Sequence, residues 1–359
     1  MRIVDLVHRW TGGLIGLLLA MLGLTGTLLL HKDAWLRPFL PHAADPQLQD
    51  AATLAATAAH WFDGSDRPGS ILFATDGFGL NRLAYGGDTG AYADQAGRIV
   101  THWDSVWERP ELWLFDLHHH LLMGETGDIV AGIAGLIGIG FVVTGAILWW
   151  RLRKTFVFRL WPRRMSRASV LRHHRDLGIV VAPLLLLTML TGTMMTLQPV
   201  ANLVLSPFSP PAEMRGALAP PKAKGGAPGR IDWRKIIDTV RARYPDAEIR
   251  RISAPTKPGE LISVRARQQA EWLPNGRTLF WFDPADGRLV DQRDALAMPL
   301  GTRIFNLAYP VHAAKVGGLA YRLVMTASGL GLTLLGSLAV VTFWSSRRPR
   351  RRKVRLQTI

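Results

Sequence analysis

The chain has 359 residues, of which 48% are hydrophobic and 19% charged; it carries a formal net charge of +16 and contains no cysteine. Without cysteine, disulfides, thiolate-ligated metal clusters and thioether attachment of a cofactor are all excluded. The charge is not that of a nucleic-acid binder: residues 1–9, 151–176 and 345–359 together hold 18 basic and two acidic side chains, the whole excess, and the other 25 basic and 25 acidic residues cancel.

Four runs have no charged residue: 10–30, 129–150, 177–197 and 323–344, each 21 or 22 residues long. At about 1.5 Å per residue, each helix would span the roughly 30 Å hydrocarbon core of a bilayer. The first run lies close to residue 1 and no small-residue cleavage site follows it, so it reads as an uncleaved anchor. All three basic segments fall on one side of a four-span topology, which assigns both termini and the 151–176 loop to the cytoplasm and residues 31–128 and 198–322 to the outside. The expected location is the bacterial inner membrane, multi-pass.

Between the spans, 48–62 is Ala-rich and helical in pattern, and 70–74, 80–85 and 90–94 read as short strands separated by Gly and Asp. Residues 107–123 are rich in aromatics and histidine and lead into the second span; if helical throughout, the 32 steps from His118 to Trp150 cover about 48 Å, placing His118 at or above the outer surface unless the glycines after it fold it back. Residues 207–228, rich in Pro, Gly and Ala, read as a linker with no packing capacity. An amphipathic helix is expected over 231–244, with strands at 248–252, 261–267 and 278–282. Gly287-Arg288-Leu289-Val290 echoes Gly97-Arg98-Ile99-Val100, so both exported parts share a helix-then-hairpin plan.

Two motifs recur. His8, Arg9, Gly12 and the Leu-Thr-Gly-Thr of 24–27 return 166 residues later as His174, Arg175, Gly178 and 190–193. His118, Gly124, Gly135, Trp150 and Arg153 return 194 residues later as His312, Gly318, Gly329, Trp344 and Arg347. Each half therefore has one His-Arg helix and one His-x5-Gly helix, a parallel duplication.

With its HRxxG…TG first and third spans, its LHHHLLMGETG and VHAAKVGG leads into the second and fourth, and its DPADGRLV turn, the chain resembles the PepSY-associated transmembrane helix proteins over nearly its whole length. The resemblance implies an all-α four-transmembrane-helix bundle built as a 2+2 parallel repeat, carrying two periplasmic α+β PepSY-like units. The expected parts are 1–30 (cytoplasmic N-terminus and first span), 31–117 (first unit), 118–150 (outer histidines and second span), 151–173 (basic loop), 174–197 (third span), 198–229 (linker), 230–311 (second unit), 312–344 (outer histidine and fourth span) and 345–359 (basic tail).

The family also resembles di-haem reductases of ferric siderophores, which implies two b-type haems held by His8, His118, His174 and His312. His119 or His120 competes with His118, and His173 with His174. Taken singly, each histidine reads as an interfacial residue; its return in both copies of two motifs is not what interfacial anchoring demands. With alternating spans, His8 and His174 share the cytoplasmic level and His118 and His312 the outer level, as two bis-histidine haems stacked across a membrane require. Zinc is the competing metal, but it takes four ligands, or three plus water, and the acids available are only Asp5 and Asp176 inside and Asp116 and Glu125 outside. Glycines along the spans admit either a flat macrocycle or ordinary small-residue packing. Arg9 and Arg175 read as haem propionate partners or as positive-inside anchors. No phosphate-cradling glycine loop marks a flavin or nicotinamide site.

The expected function is electron transfer from a cytoplasmic or quinol donor to a periplasmic acceptor, with reduction of a ferric siderophore releasing ferrous iron. The expected partners are the lipid bilayer, that donor and that acceptor, with no nucleic acid. The competing expectation is a haem-free accessory or transporter protein in metal uptake.

Overall fold

A computed structural model describes residues 2–227 and 229–345; the basic tail expected over 345–359, apart from Ser345, lies outside the described residues, as does Arg347 of the second repeat. The first helix, α1 (Arg2–Leu30), is followed by a short α2 (Lys32–Leu36) and by α3 (Ala51–Phe62). Four short strands come next: β1 (Ser70–Leu72), β2 (Asn81–Ala84), β3 (Gly90–Ala93) and β4 (Ile99–Trp103). The chain then re-enters helices α4 (Pro110–His120), α5 (Gly124–Leu152) and α6 (Arg167–Thr196), with the basic loop between the last two.

The second half repeats this order after α7 (Gln198–Leu205) and α8 (Pro211–Leu218): α9 (Trp233–Arg243), then β5 (Glu248–Ser253), β6 (Ile262–Arg267), β7 (Thr278–Phe282) and β8 (Leu289–Arg293), and finally α10 (Leu300–His312) and α11 (Gly318–Ser345). Helices α1, α5, α6 and α11 have 28 to 30 residues and apolar cores, long enough to cross a bilayer. Many large apolar side chains on them are exposed, Leu14, Leu17, Ile133, Leu136 and Leu323 among them, as lipid-facing surfaces require. The protein is a multi-pass membrane protein with a sheet outside the bundle.

The long helices associate through small residues. A methyl group added at Gly16 would meet the main chain of Gly336, and one at Gly23 the main chain of Gly329, so α1 and α11 lie backbone to backbone; Gly132, Gly135 and Gly138 likewise abut Thr196, Thr193 and Met189, joining α5 to α6. These glycines serve close helix packing, the usual means of association where lipid removes the hydrophobic driving force.

The strands of both halves join in one eight-stranded antiparallel sheet, in the order β4-β3-β2-β1-β5-β6-β7-β8. Instead of two separate hairpin units, each half supplies one helix and four strands, and β1 pairs with β5 in the register Ser70↔Ser253, Ile71↔Ile252, Leu72↔Arg251. The echoing Gly-Arg-Ile/Leu-Val segments lead into the outer strands β4 and β8. One face carries α3 and α9, capped by Asp50 and Asp232. Their inward residues Leu54, Phe62, Ile236, Ile237 and Val240 pack on Ile71, Leu83, Ile252, Val264 and Phe280. Contact across the halves is continuous, with Trp233 against Phe62 at 5.0 Å and its indole donating to Asp63.

The same joint contains one buried charge. Arg250, 1% exposed, donates to the carbonyls of Ala74 (2.6 Å) and Phe73 (2.9 Å) where β1 leaves the sheet. Burial pushes its guanidinium down to about 10, which leaves it charged at neutral pH.

The segment 207–228, expected as a linker with no packing capacity, does pack, through α8. Prolines at its first turn start α8 rather than preventing a helix. Met214 of α8 is buried against Gly301 of α10, and Arg293 donates to the carbonyls of Gly216 and Ala217.

Removing the Arg250 donors leaves two carbonyls unpaired in the core. Arg250→Met is expected to cost about 3 kcal/mol, visible as a lowered thermal unfolding midpoint of the solubilised protein, whereas Arg234→Met, in an exposed pair with Asp238, should change stability by less than about 0.5 kcal/mol.

Candidate functional site

The straight 48 Å helix from His118 to Trp150 is not what forms. Leu121, Leu122 and Gly124 all take positive φ (51°, 60° and 58°), so the chain reverses between α4 and α5. Ala314, Gly317 and Gly318 (46°, 69° and 60°) do the same between α10 and α11. The left-handed backbone is open to Gly at little strain, and the final Gly of each His-x5-Gly motif, Gly124 and Gly318, occupies such a position. A methyl group at Gly127 would collide with the His120 carbonyl, so the two arms of the first reversal close tightly. The turns fold His118 and His312 back against the ends of α1 and α6.

There the Leu-Thr-Gly-Thr motifs receive them. The Thr25 hydroxyl donates to the Met21 carbonyl at 2.9 Å and so accepts from His118 Nδ1 at 2.9 Å. In the other half the Thr191 hydroxyl donates to the Leu187 carbonyl at 2.7 Å and accepts from His312 Nδ1 at 3.2 Å, and His312 Nδ1 also donates to the Thr188 carbonyl at 3.0 Å. The glycine of each motif makes room for the ring: a methyl at Gly26 would stand 2.9 Å from His118 Cε1, and one at Gly192 3.0 Å from His312 Cε1.

The two rings lie side by side with centroids 6.3 Å apart, tilted by 47°. At the opposite end of the bundle His8 and His174 have centroids 6.4 Å apart. His8 Nδ1 donates to the Thr144 hydroxyl at 2.8 Å, that hydroxyl being committed to the Gly140 carbonyl, and Gly145 leaves space beside the ring. Nδ1 of His174 is buried without a hydrogen-bond partner among the described residues. On α1, 17 residues separate His8 from Thr25, and on α6 the same number separate His174 from Thr191, so the two levels are about 25 Å apart.

The four histidines of the two motifs thus form two pairs, each with one member from each half. The competing histidines are engaged elsewhere. His120 bonds Asp116 at 2.7 Å, His119 stacks on Phe115 and lies 3.6 Å from Asp128, and buried His173 reaches the Leu160 carbonyl at 3.0 Å. Arg175 makes a two-pronged contact to Asp176 and bonds Thr155, tying the basic loop to α6; Arg9 pairs with Asp5 at 3.5 Å.

With Nδ1–H committed in His8, His118 and His312, Nε2 is the free lone-pair nitrogen, the state in which imidazole binds a metal. Among the described residues no group of three or more His, Cys, Asp or Glu side chains could hold an ion. A zinc ion would lack ligands at either level, whereas a haem, which brings four equatorial nitrogens, needs only two. At each level two imidazoles, one from each half, have ring centres 6.3 to 6.4 Å apart; they would hold the group, which would supply one-electron chemistry there. The donor set and its spacing fit the group.

The repeated Leu-Thr-Gly-Thr is therefore part of the site, a role its sequence alone does not assign. Its offset of 166 residues, shared with His8 and His174, was the available signal.

Four membrane helices, a sheet outside them and histidines paired at two depths define a membrane protein of duplicated motifs. A family model described as PepSY-associated TM region matches residues 6–347, and the chain belongs to that family. No curated protein matches the chain.

The glycines beside the rings give a direct test. Gly26→Leu and Gly192→Leu are each expected to lower the thermal unfolding midpoint, with a loss of about 1–3 kcal/mol, because the added side chain must displace a histidine held between helices. Gly140→Leu, with nothing within 4 Å, should leave the midpoint unchanged or higher.

Proposed function

We propose that this protein transfers electrons across the bacterial inner membrane, to an acceptor on the side where the sheet lies. The observation that carries the reading is the pair of neighbouring histidines at each of two levels, 6.4 and 6.3 Å between ring centres. His8 and His174 would hold one b-type haem, His118 and His312 the other. When bound, the two groups supply one-electron chemistry at each face of the bilayer. The protein's own contribution is to fix the imidazoles: Thr144, Thr25 and Thr191 orient three of them through Nδ1, and the glycine-packed helix pairs keep the donors at constant depth.

The clustering of positive charge supports an orientation with both termini and the basic loop in the cytoplasm and the sheet in the periplasm. On this reading the two sheet halves are PepSY-like units of a 2+2 duplicated chain. A cytoplasmic or quinol donor would serve the His8–His174 level, and a periplasmic ferric siderophore the His118–His312 level. Ferric iron in such a chelate is held too tightly for release, whereas ferrous iron binds hard oxygen donors far more weakly, so one electron frees it. That chemistry needs no acid, base or nucleophile, only an acceptor positioned near the outer histidines.

The purified protein is expected to show a Soret band with α and β bands that sharpen on dithionite; a colourless, fully helical preparation would move the function to a haem-free accessory or transporter role. His8→Ala or His174→Ala should remove one haem per protein, and His118→Ala or His312→Ala the other, measured by pyridine haemochrome. Two haems retained in every single variant would refute the ligand set. Dithionite-reduced protein mixed with a ferric siderophore should reoxidise while ferrous iron appears in a ferrozine assay. Reporter fusions after Arg164 should read cytoplasm and those near Gly87 and Gly226 periplasm.

A further inference from the structure

One row of directly opposed residues crosses all eight strands: Thr101, Tyr92, Arg82, Leu72, Arg251, Arg265, Leu279 and Arg293. Residues opposed in register point to the same face, so four arginines lie in line on one side of the sheet. That side is opposite α3 and α9, because Ile71, Ile252 and Val264, the adjacent row, belong to the core under those helices. It is turned to the membrane helices. Tyr92 and Trp103 pack with Leu36 and Leu40 just beyond α1 and with Leu112 of α4, Arg82 lies within electrostatic reach of Lys32, and Arg293 is tied to α8. Between these two covered flanks sit Leu72, Arg251 and Arg265.

Among the described residues no acid pairs directly with the arginines in this gap; the one carboxylate within electrostatic reach of Arg265 and Arg277 is Glu271. Arg251 and Arg265 are direct cross-strand neighbours, where like charges repel. Neither makes a hydrogen bond or ion pair with another described residue, nor does Arg82, whose guanidinium lies only against the Trp103 ring, and the buried Nε atoms of Arg251 and Arg277 are unpartnered. Burial, and after it Arg265 and Arg82, disfavours the charged form of Arg251. The nearby acids are committed. Glu111 holds Arg109, Asp33 lies between Lys32 and Lys315, and Asp291 pairs with Arg293. Glu271 is tied to the amides of Gln268 and Arg277 and to the Thr278 hydroxyl. Arg82 is exposed, but Arg251, Arg265 and Arg277 are half-buried; such guanidinium groups held together lower stability, and their planar forks match carboxylate and phosphate groups two bonds at a time.

We propose that this face of the sheet, around Arg82, Arg251 and Arg265 and flanked by Arg277, binds a compact ligand carrying several oxyanion groups. It lies between the sheet and the bundle, on the side of the outer histidine pair. In the context of the proposed function, on which this last identification rests, the ligand is an anionic ferric chelate rich in carboxylates; the binding site itself does not depend on that reading. The same chemistry is offered by the headgroup of an anionic phospholipid.

The probe is gallium(III) citrate, a redox-inert carboxylate complex, titrated calorimetrically into the full-length protein in phosphatidylcholine nanodiscs. The wild type should bind it saturably, with affinity falling as salt rises. Arg251→Gln and Arg265→Gln should each weaken binding at least about tenfold, and Arg251→Lys, which keeps the charge but loses the fork, should fall between. Arg234→Gln, on the opposite side of the sheet, should match the wild type. The unliganded Arg251→Gln and Arg265→Gln variants should unfold at the same temperature as the wild type or higher, and gallium citrate should raise their midpoints less than those of the wild type and Arg234→Gln.

Absence of saturable binding, unchanged affinity in both Gln variants, or a lower unliganded midpoint in them would overturn the site. Affinity maintained when phosphatidylglycerol is added to the nanodiscs supports a soluble ligand; abolition of citrate binding by that lipid overturns the soluble assignment and gives the row to a headgroup. A colourless protein that still binds gallium citrate through Arg251 and Arg265 sinks the electron-transfer reading and leaves this site standing. A haem-bearing protein that reduces its acceptor but ignores the probe does the reverse.

Discussion

The reversals at Gly124 and Gly318 are what the rest of the site depends on. A helix continued straight through 118–124 or 312–318 would carry its histidine away from the bundle. The left-handed backbone at those glycines returns α4 and α10 alongside the long helices, and the returned imidazoles land on Leu-Thr-Gly-Thr. That motif does two jobs in sequence order: its first threonine fixes the histidine tautomer and its glycine vacates the volume of the ring. Its second threonine faces the partner half, with Thr27 at Gly329 and Thr193 at Gly135. Histidine placement and helix packing are therefore set by the same four residues, twice.

Outside the bundle, the two halves are held in register by the sheet. Three residue pairs between β1 and β5, with Arg250 bonded to the carbonyls of Phe73 and Ala74, convert two four-stranded segments into one surface. The β-bulge between Ile249 and Arg251 makes this possible, because it lets the adjacent residues Arg250 and Arg251 serve different ends: one is buried in the joint and the other stands in the ladder row beside Arg265. An arginine row spread over both halves exists only because the halves share the sheet. On the proposed reading, the same fusion would hold a bound chelate at a fixed distance from the outer histidines.

Much of this was legible in the sequence. Four uncharged runs of 21 or 22 residues can only satisfy their backbone as membrane helices, so the spans follow from composition alone. The two offsets, 166 and 194, paired His8 with His174 and His118 with His312, and alternation of the spans put each pair at one depth. Strand alternation located six of the eight strands. What sequence could not decide was which of three consecutive histidines faces the partner, since 118, 119 and 120 differ only by about 100° of helix rotation each. Packing decided it: His119 and His120 turn to Asp128 and Asp116, and His118 to Thr25.

The sequence by itself determined the number of spans, the duplicated motifs and the residue types at each level, because hydropathy and repetition are one-dimensional properties. The tertiary structure alone decided the fusion of the sheet, the packing of α8 and the emergence of the arginine row. A cross-strand register joins residues about 170 positions apart, and no local pattern around Arg82 or Arg251 announces that they will meet. The roles of the glycines divided the same way: nothing in their spacing separates Gly16, which brings two backbones together, from Gly26, which makes room for a histidine, until the neighbouring helix is in place.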